Sequence, residues 1–199
     1  MFPFFARILL CILWLTAIGT GTIVLLKYQN SEGEIGRVPQ DWPSDAAISH
    51  APDRATLILF AHPKCPCTRA TIEELNRLLA RCSHPVDTRV YFLKPANSPK
   101  EWTETSLWRS AAAIPGVQVQ EDADGKIASR FGAKTSGSVL LYSPNGRLLF
   151  KGGITSSRGH AGDNAGGDRI VSLLGGEDNG LKQTPVYGCC LTQCNVPTN

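Results

Sequence analysis

The chain has 199 residues, a formal net charge of +3 and a hydrophobic fraction of 42%. That length leaves room for one domain of ordinary size plus short additions, since domains run roughly 100–200 residues. The charge is spread without a run of about five or six like residues, so the electrostatic footprint of a nucleic-acid binder is missing and polyanion partners are not expected.

The amino-terminal segment differs from everything after it. Residues 8–26 carry no charged side chain and are bounded by Arg7 and Lys27. A helix rising about 1.5 Å per residue needs ~20 apolar residues to cross ~30 Å of hydrocarbon, and this segment is that long. Phe2, Phe4, Phe5 and Tyr28 stand near its ends, where aromatic rings suit the membrane interface. A cleaved signal peptide and a buried core helix are the competing readings. The apolar run Ile23-Val24-Leu25-Leu26 continues past the small residues Ala17, Gly19 and Gly21, which favours a retained anchor over cleavage. Arg7 and Lys27 nearly balance the positive-inside count, and the short head with its large tail places the domain outside the cytoplasm, in a bacterial periplasm or its equivalent.

Residues 28–54 are polar, contain Pro39, Pro43 and Pro52, and read as a flexible linker. From 55 to 61 a continuous apolar run predicts a strand buried on both faces. After Pro66 the positions Ile72, Leu75, Leu78, Leu79 and Cys82 recur at three- and four-residue spacing, one face of an amphipathic helix, with Glu73 and Arg77 as an outer i, i+4 pair. A strand over 88–93 completes a βαβ unit. Helices are predicted over 99–113, ended by Pro115-Gly116, and near 123–131. Strands over 139–142 and 147–151 flank Pro144-Asn145-Gly146, a hairpin signal, and a last helix is expected over 168–174. The order describes an α/β domain over 55–199, with a mixed four- or five-stranded sheet, preceded by the anchor over 1–27.

Seven cysteines fall at 11, 65, 67, 82, 189, 190 and 194. Six lie beyond the apolar segment, a number that suits an oxidising compartment without separating disulfides from metal ligands. With Pro66 at the first helical position, Cys65 falls at the N-cap and Cys67 at the second helical position. Unpaired N–H groups and the positive end of the helix dipole then favour the Cys65 thiolate, the form that attacks disulfides and binds soft metals. Two positions apart on a regular helix, the side chains of Cys65 and Cys67 diverge by about 200°. The alternative sulfur for Cys65 is one of Cys189, Cys190 and Cys194, whose tail hinges at Gly188. Cys82, on the apolar helix face, reads as a core residue. The plainer reading of Cys65 and Cys67 is as structural bridges or filler.

The strand, cysteine-headed helix, strand, helix, hairpin and helix, together with His62-Pro63-Lys64-Cys65-Pro66-Cys67 and Phe131-Gly132 followed by Thr135-Ser136-Gly137-Ser138, resemble the thioredoxin-like superfamily over about 55–175. The chain is similar in particular to poorly characterised membrane-anchored thioredoxin-like proteins, some labelled RedB. The resemblance implies a thioredoxin-like fold and thiol chemistry. Two departures stand out: one residue rather than two separates the cysteines, and Gly137 or a neighbour holds the place where such oxidoreductases carry a cis-proline.

Three functions follow as expectations. The first is thiol–disulfide exchange on protein partners, with Cys65 as nucleophile, Cys67 or a tail cysteine as the resolving thiol, and no cofactor. The second is a Cu(I)-binding module using Cys65 and Cys67, with His62 and His160 elsewhere in the chain. The third is a thiol peroxidase, which needs a hydroxyl and an arginine beside the thiolate, with Thr68 and Arg69 near in sequence. The glycine-rich loop 158–164 is the other polar cluster. There His160 is a candidate accessory residue, and the plainer reading is a solvated turn in which Asp163 or Asn164 caps the next helix.

Overall fold

The computed structural model describes residues 4–177 and 180–191. The chain divides into two compact units, Met1–Ser31 and Glu32–Asn199. The first is a single helix, α1, over Phe4–Gln29, with a mean hydropathy of 2.3 in its most apolar window and none of that window buried within the protein. It is long and apolar enough to cross a membrane.

The second unit is built on a five-stranded sheet of order β3-β2-β1-β4-β5, with β1 over Thr56–Ala61, β2 over Asp87–Lys94, β3 over Val117–Ala123, β4 over Ser138–Tyr142 and β5 over Leu148–Gly152. The β1, β2 and β3 strands run parallel, β4 pairs antiparallel to β1, and β5 pairs antiparallel to β4. Every residue of β1 is buried, because the strand is central and covered on both faces. Leu57, Leu59 and Ala61 enter one core with Ile72, Leu75 and Leu78 of helix α2 (Cys67–Arg81) and Ile170 of helix α5 (Ala165–Leu174). Ile58 and Phe60 alternate to the other face, with Tyr91, Phe131, Leu140 and Tyr142. Burying each large side chain of this kind contributes about 1.5–3 kcal/mol, so the two faces anchor the strand that leads to the cysteines.

Several elements differ from the sequence expectation. The helix predicted over 99–113 is interrupted: a single 3₁₀ turn at Lys100–Trp102 ends at Thr103, and helix α3 begins at Ser106 and runs to Ala112. Thr105 stops continuity by capping α3, its hydroxyl accepting from the Trp108 N–H at 3.4 Å. The segment read as helix from 123 contributes its first residue to β3, and helix α4 is only Lys126–Arg130. Asp122 accounts for this start, since its buried carboxylate accepts from the N–H groups of Ile127 and Ala128. β3 itself was not predicted, although Val117 and Val119 alternate with glutamines in the pattern of an edge strand. On α2, Arg77 pairs with Glu74 rather than Glu73.

Residues 32–54 are not a free tether. Gly36 N–H donates to the Gly132 carbonyl, Trp42 N–H to Gly146 and Leu148 N–H to Gln40. Trp42 packs edge-on against Phe131 and Tyr142, and Val38 is buried. Low apolar periodicity hid these contacts, because an irregular segment spends its few apolar residues on one neighbour rather than on a repeating face.

Candidate functional site

The site lies where β1 ends. His62–Cys65 forms a tight turn closed by the Cys65 N–H to the His62 carbonyl at 3.1 Å, with Lys64 N–H donating to His62 Nδ1 at 3.1 Å. Helix α2 starts one residue later than expected: Pro66 is the N-cap, with helical dihedrals and no side-chain cap, and Cys67 is the first helical residue. The reason is a tight first turn, in which Thr68 N–H reaches the Cys65 carbonyl at 3.1 Å and Arg69 N–H the Pro66 carbonyl at 3.4 Å, three residues back. Cys65 therefore stands just outside the helix, with its sulfur still facing the helix start.

The sulfur beside Cys65 comes from the far end of the chain. Cys189 Sγ lies 2.8 Å from Cys65 Sγ, and the Cys189 N–H points at the same sulfur at 3.4 Å. The tail is seated there by backbone pairing: Ser136 N–H donates to the Cys189 carbonyl at 2.7 Å, and Leu191 N–H donates to the Lys134 carbonyl at 2.9 Å. Thr135 and Cys190 form an antiparallel bridge. Further back, Gly33 N–H donates to the Val186 carbonyl and Gly153 N–H to Pro185. Val186 and Leu191 are buried, so residues 186–191 form a strap across the site. Gly188 is required within it, because a Cβ there would stand 1.9 Å from the Ser136 carbonyl oxygen.

The strap leaves Cys65 only 1% exposed. Its surroundings are nevertheless polar. Burial pushes the Cys65 thiol up, but the Cys189 thiol and N–H, the Thr68 hydroxyl and the Cys67 N–H all donate toward it, and the balance holds it below the ordinary thiol value. Thr68 Oγ1 and Ser136 Oγ are 2.9 Å apart, and Ser136 Oγ accepts the His62 N–H at 2.9 Å, so the hydroxyls are held in a short network. Cys189 is pushed up to about 12 by burial, by its bond to Cys65 and by the Cys65 charge. Of the two sulfurs, Cys189 is thus the one that holds its proton more firmly. Cys67 is also pushed up by burial and by the charge at Cys65, with Arg158 opposing.

Of the residues singled out in the sequence, Cys65, Cys67 and Cys189 come together. Cys190 is held in a disulfide, and Cys194 lies outside the described residues. Gly137 stands at the site with φ +93°, its N–H donating to the Phe60 carbonyl, and no peptide bond among the described residues is cis. His62 supplies its backbone to the turn, while its ring packs edge-on to Trp102; burial and Lys64 hold the imidazole below its ordinary value. His160 is exposed, and Asn164 caps α5 by accepting the Gly167 N–H at 2.7 Å. Cys82 donates to the Leu78 carbonyl on its own helix.

Arg158 is a neighbour of the site that sequence reasoning did not single out. Its guanidinium donates to the Gly188 carbonyl at 2.7 Å and acts electrostatically on Cys67 and Cys189. The signal available was that Arg158 is the only Lys or Arg between Lys151 and Arg169, in the loop already marked as polar. That loop is tied to α2 by Glu74, which accepts from Gly162 N–H at 2.7 Å and from Asn164 Nδ2 at 3.1 Å.

A central βαβ unit, an antiparallel hairpin beside it and a cysteine turn at the head of the first sheet helix make this a thioredoxin-like fold. No protein-family model matches the chain, and no curated protein matches it. Among solved structures, an uncharacterised conserved protein of Geobacillus kaustophilus matches at 18% identity and a TM-score of 0.58, covering 84% of this chain and 96% of that one. A hypothetical protein of Sinorhizobium meliloti matches at 20% identity and a TM-score of 0.52, covering 84% and 98%. A secreted Mycobacterium tuberculosis disulfide oxidoreductase, described as homologous to E. coli DsbE, matches at 15% identity and a TM-score of 0.43, covering 62% and 81%. At these identities the likeness to the first two speaks for the fold alone.

Proposed function

We propose that this chain is a membrane-anchored thiol–disulfide oxidoreductase whose redox couple is Cys65 and Cys189. The observation that carries the reading is the 2.8 Å separation of the two sulfurs, with further donors turned toward Cys65. A disulfide bond of about 2.05 Å needs less than an ångström of further approach. The anchor is α1, and the domain faces an oxidising compartment outside the cytoplasm, where disulfides persist. Protein thiols and disulfides are the substrates.

The test uses the full chain in detergent. Oxidation followed by peptide mapping should yield a Cys65–Cys189 disulfide, and thiol–disulfide exchange with insulin should vanish in both Cys65→Ser and Cys189→Ser. Exchange at the wild-type rate in either variant would sink the reading. A Cu(I)-binding module would use the same thiols, Cys65 and Cys67, and the approach of Cys189 to Cys65 is what favours exchange over it. Peroxide reduction gains no support, because Thr68 faces Cys65 but Arg69 is exposed and the sulfur is covered.

A further inference from the structure

We propose that Cys189, carried on the 186–191 strap, is the sulfur that meets the external partner, that Cys65 is the internal sulfur, and that Arg158 positions the strap. This rests on the Cys65–Cys189 couple proposed above and assigns the two sulfurs different tasks.

The geometry separates them. Cys65 is 1% exposed beneath the strap, whereas Cys189 is only partly buried on its outer course. An incoming thiolate in line with the Cys65–Cys189 bond must approach one sulfur from the side opposite the other. Cys65 is approached from α2 by the Thr68 hydroxyl and the Cys67 N–H, while Cys189 belongs to a segment seated on the surface by backbone bonds and by the Arg158 side chain. Leaving-group chemistry agrees, since exchange is faster when the departing thiol has the lower pKa, and Cys65 is the sulfur held low.

A partner thiolate attacks Cys189 Sγ, a partner–Cys189 bond forms, and the Cys65–Cys189 bond breaks with its electron pair leaving on Cys65 as thiolate. The partner's second thiol gives up its proton and attacks the partner sulfur of the mixed disulfide. Cys189 leaves and takes up a proton. The partner dithiol has lost two electrons, and the chain has gained them as the Cys65 thiolate and Cys189 thiol. A protein or small-molecule disulfide regenerates the couple by the reverse exchange.

Arg158 is a positioning residue. By holding the Gly188 carbonyl at 2.7 Å it fixes the backbone one residue before Cys189, and so sets how often the two sulfurs meet.

The experiment uses the oxidised full chain in detergent, pulsed with reduced glutathione, quenched with acid, alkylated and mapped by mass spectrometry. Glutathione is expected on Cys189, exceeding adducts on Cys65 and Cys67 by about tenfold. Adducts mainly on Cys65 would overturn the assignment while leaving the couple intact. Failure to find a Cys65–Cys189 disulfide in the oxidised chain would instead remove the couple itself. For Arg158, Arg158→Gln should keep the wild-type melting temperature yet lower the equilibrium fraction of Cys65–Cys189 disulfide in a glutathione buffer by about tenfold, with Arg158→Lys restoring part of it. An unchanged fraction in Arg158→Gln would remove its positioning role.

Discussion

Glu74 of α2 accepts the Gly162 N–H at 2.7 Å, which fastens the loop after β5 to the helix that begins at Cys67. The same carboxylate takes Asn164 Nδ2 and pairs with Arg77, although Glu74 itself is only 6% exposed. Removing it takes the acceptor from the Gly162 N–H and from Arg77, and leaves Asn164 Nδ2 only its bond to the Gly162 carbonyl. Glu74→Ala should lower unfolding stability by about 1–3 kcal/mol in denaturant titration, and limited proteolysis should cut first within 158–164. An unchanged midpoint would show that water replaces the carboxylate there.

A Cβ on Gly188 would stand 1.9 Å from the Ser136 carbonyl oxygen, far inside contact. Gly188→Ala should push the strap outward at an overpacking cost of about 1–3 kcal/mol. Because the strap covers Cys65, the reduced variant should alkylate at Cys65 roughly tenfold faster than wild type, consistent with a cost in that range. Peptide mapping after a short iodoacetamide pulse reads this directly.

The pH dependence of the reduced chain has a definite sign. Cys65 lies below the ordinary thiol value, so its alkylation rate should level off at lower pH than that of a free cysteine, and Cys189→Ala, which deletes the S–H donor, should move that profile upward. For stability, a depressed thiol contributes above its unfolded value and loses that contribution as pH falls through its folded value. Cys189 behaves oppositely: raised from 9.0 to about 12, it contributes fully below pH 9.0 and loses that contribution as pH climbs toward 12. Reduced wild type should therefore lose stability across that alkaline window, and Cys189→Ser should lose less, as followed by thermal melts at stepped pH.

Leu59 is fully buried at the centre of β1, between parallel β2 and antiparallel β4. Leu59→Ala removes its apolar contacts and leaves a cavity that strands on both sides prevent from closing. A loss of about 2–5 kcal/mol is expected by denaturant unfolding. Survival of the Cys65–Cys189 disulfide in the folded fraction would show that the strap tolerates a loosened core.

What the residues determined by themselves was whatever depends on short range. The apolar segment bounded by Arg7 and Lys27 specifies α1, the unbroken run over 55–61 specifies a central strand, and three- and four-residue spacing after Pro66 specifies α2, because periodicity is a local property. The Asn145-Gly146 hairpin was equally legible, its Gly146 taking φ +74°. The edge strand β3 and the break at Thr103 were not, since alternation over a few residues and a single capping hydroxyl are weak signals against a longer helical pattern.

Which sulfur faces Cys65 was decided only by tertiary structure. Cys67 is two residues away and Cys189 is 124 residues away, yet backbone pairing with 134–136 and the Arg158 bond to Gly188 carry the distant sulfur to 2.8 Å. Sequence proximity sets only the length of chain between two cysteines. Their meeting depends on the direction each side chain takes from a fixed backbone and on long-range hydrogen bonds, which exist only once the sheet has formed.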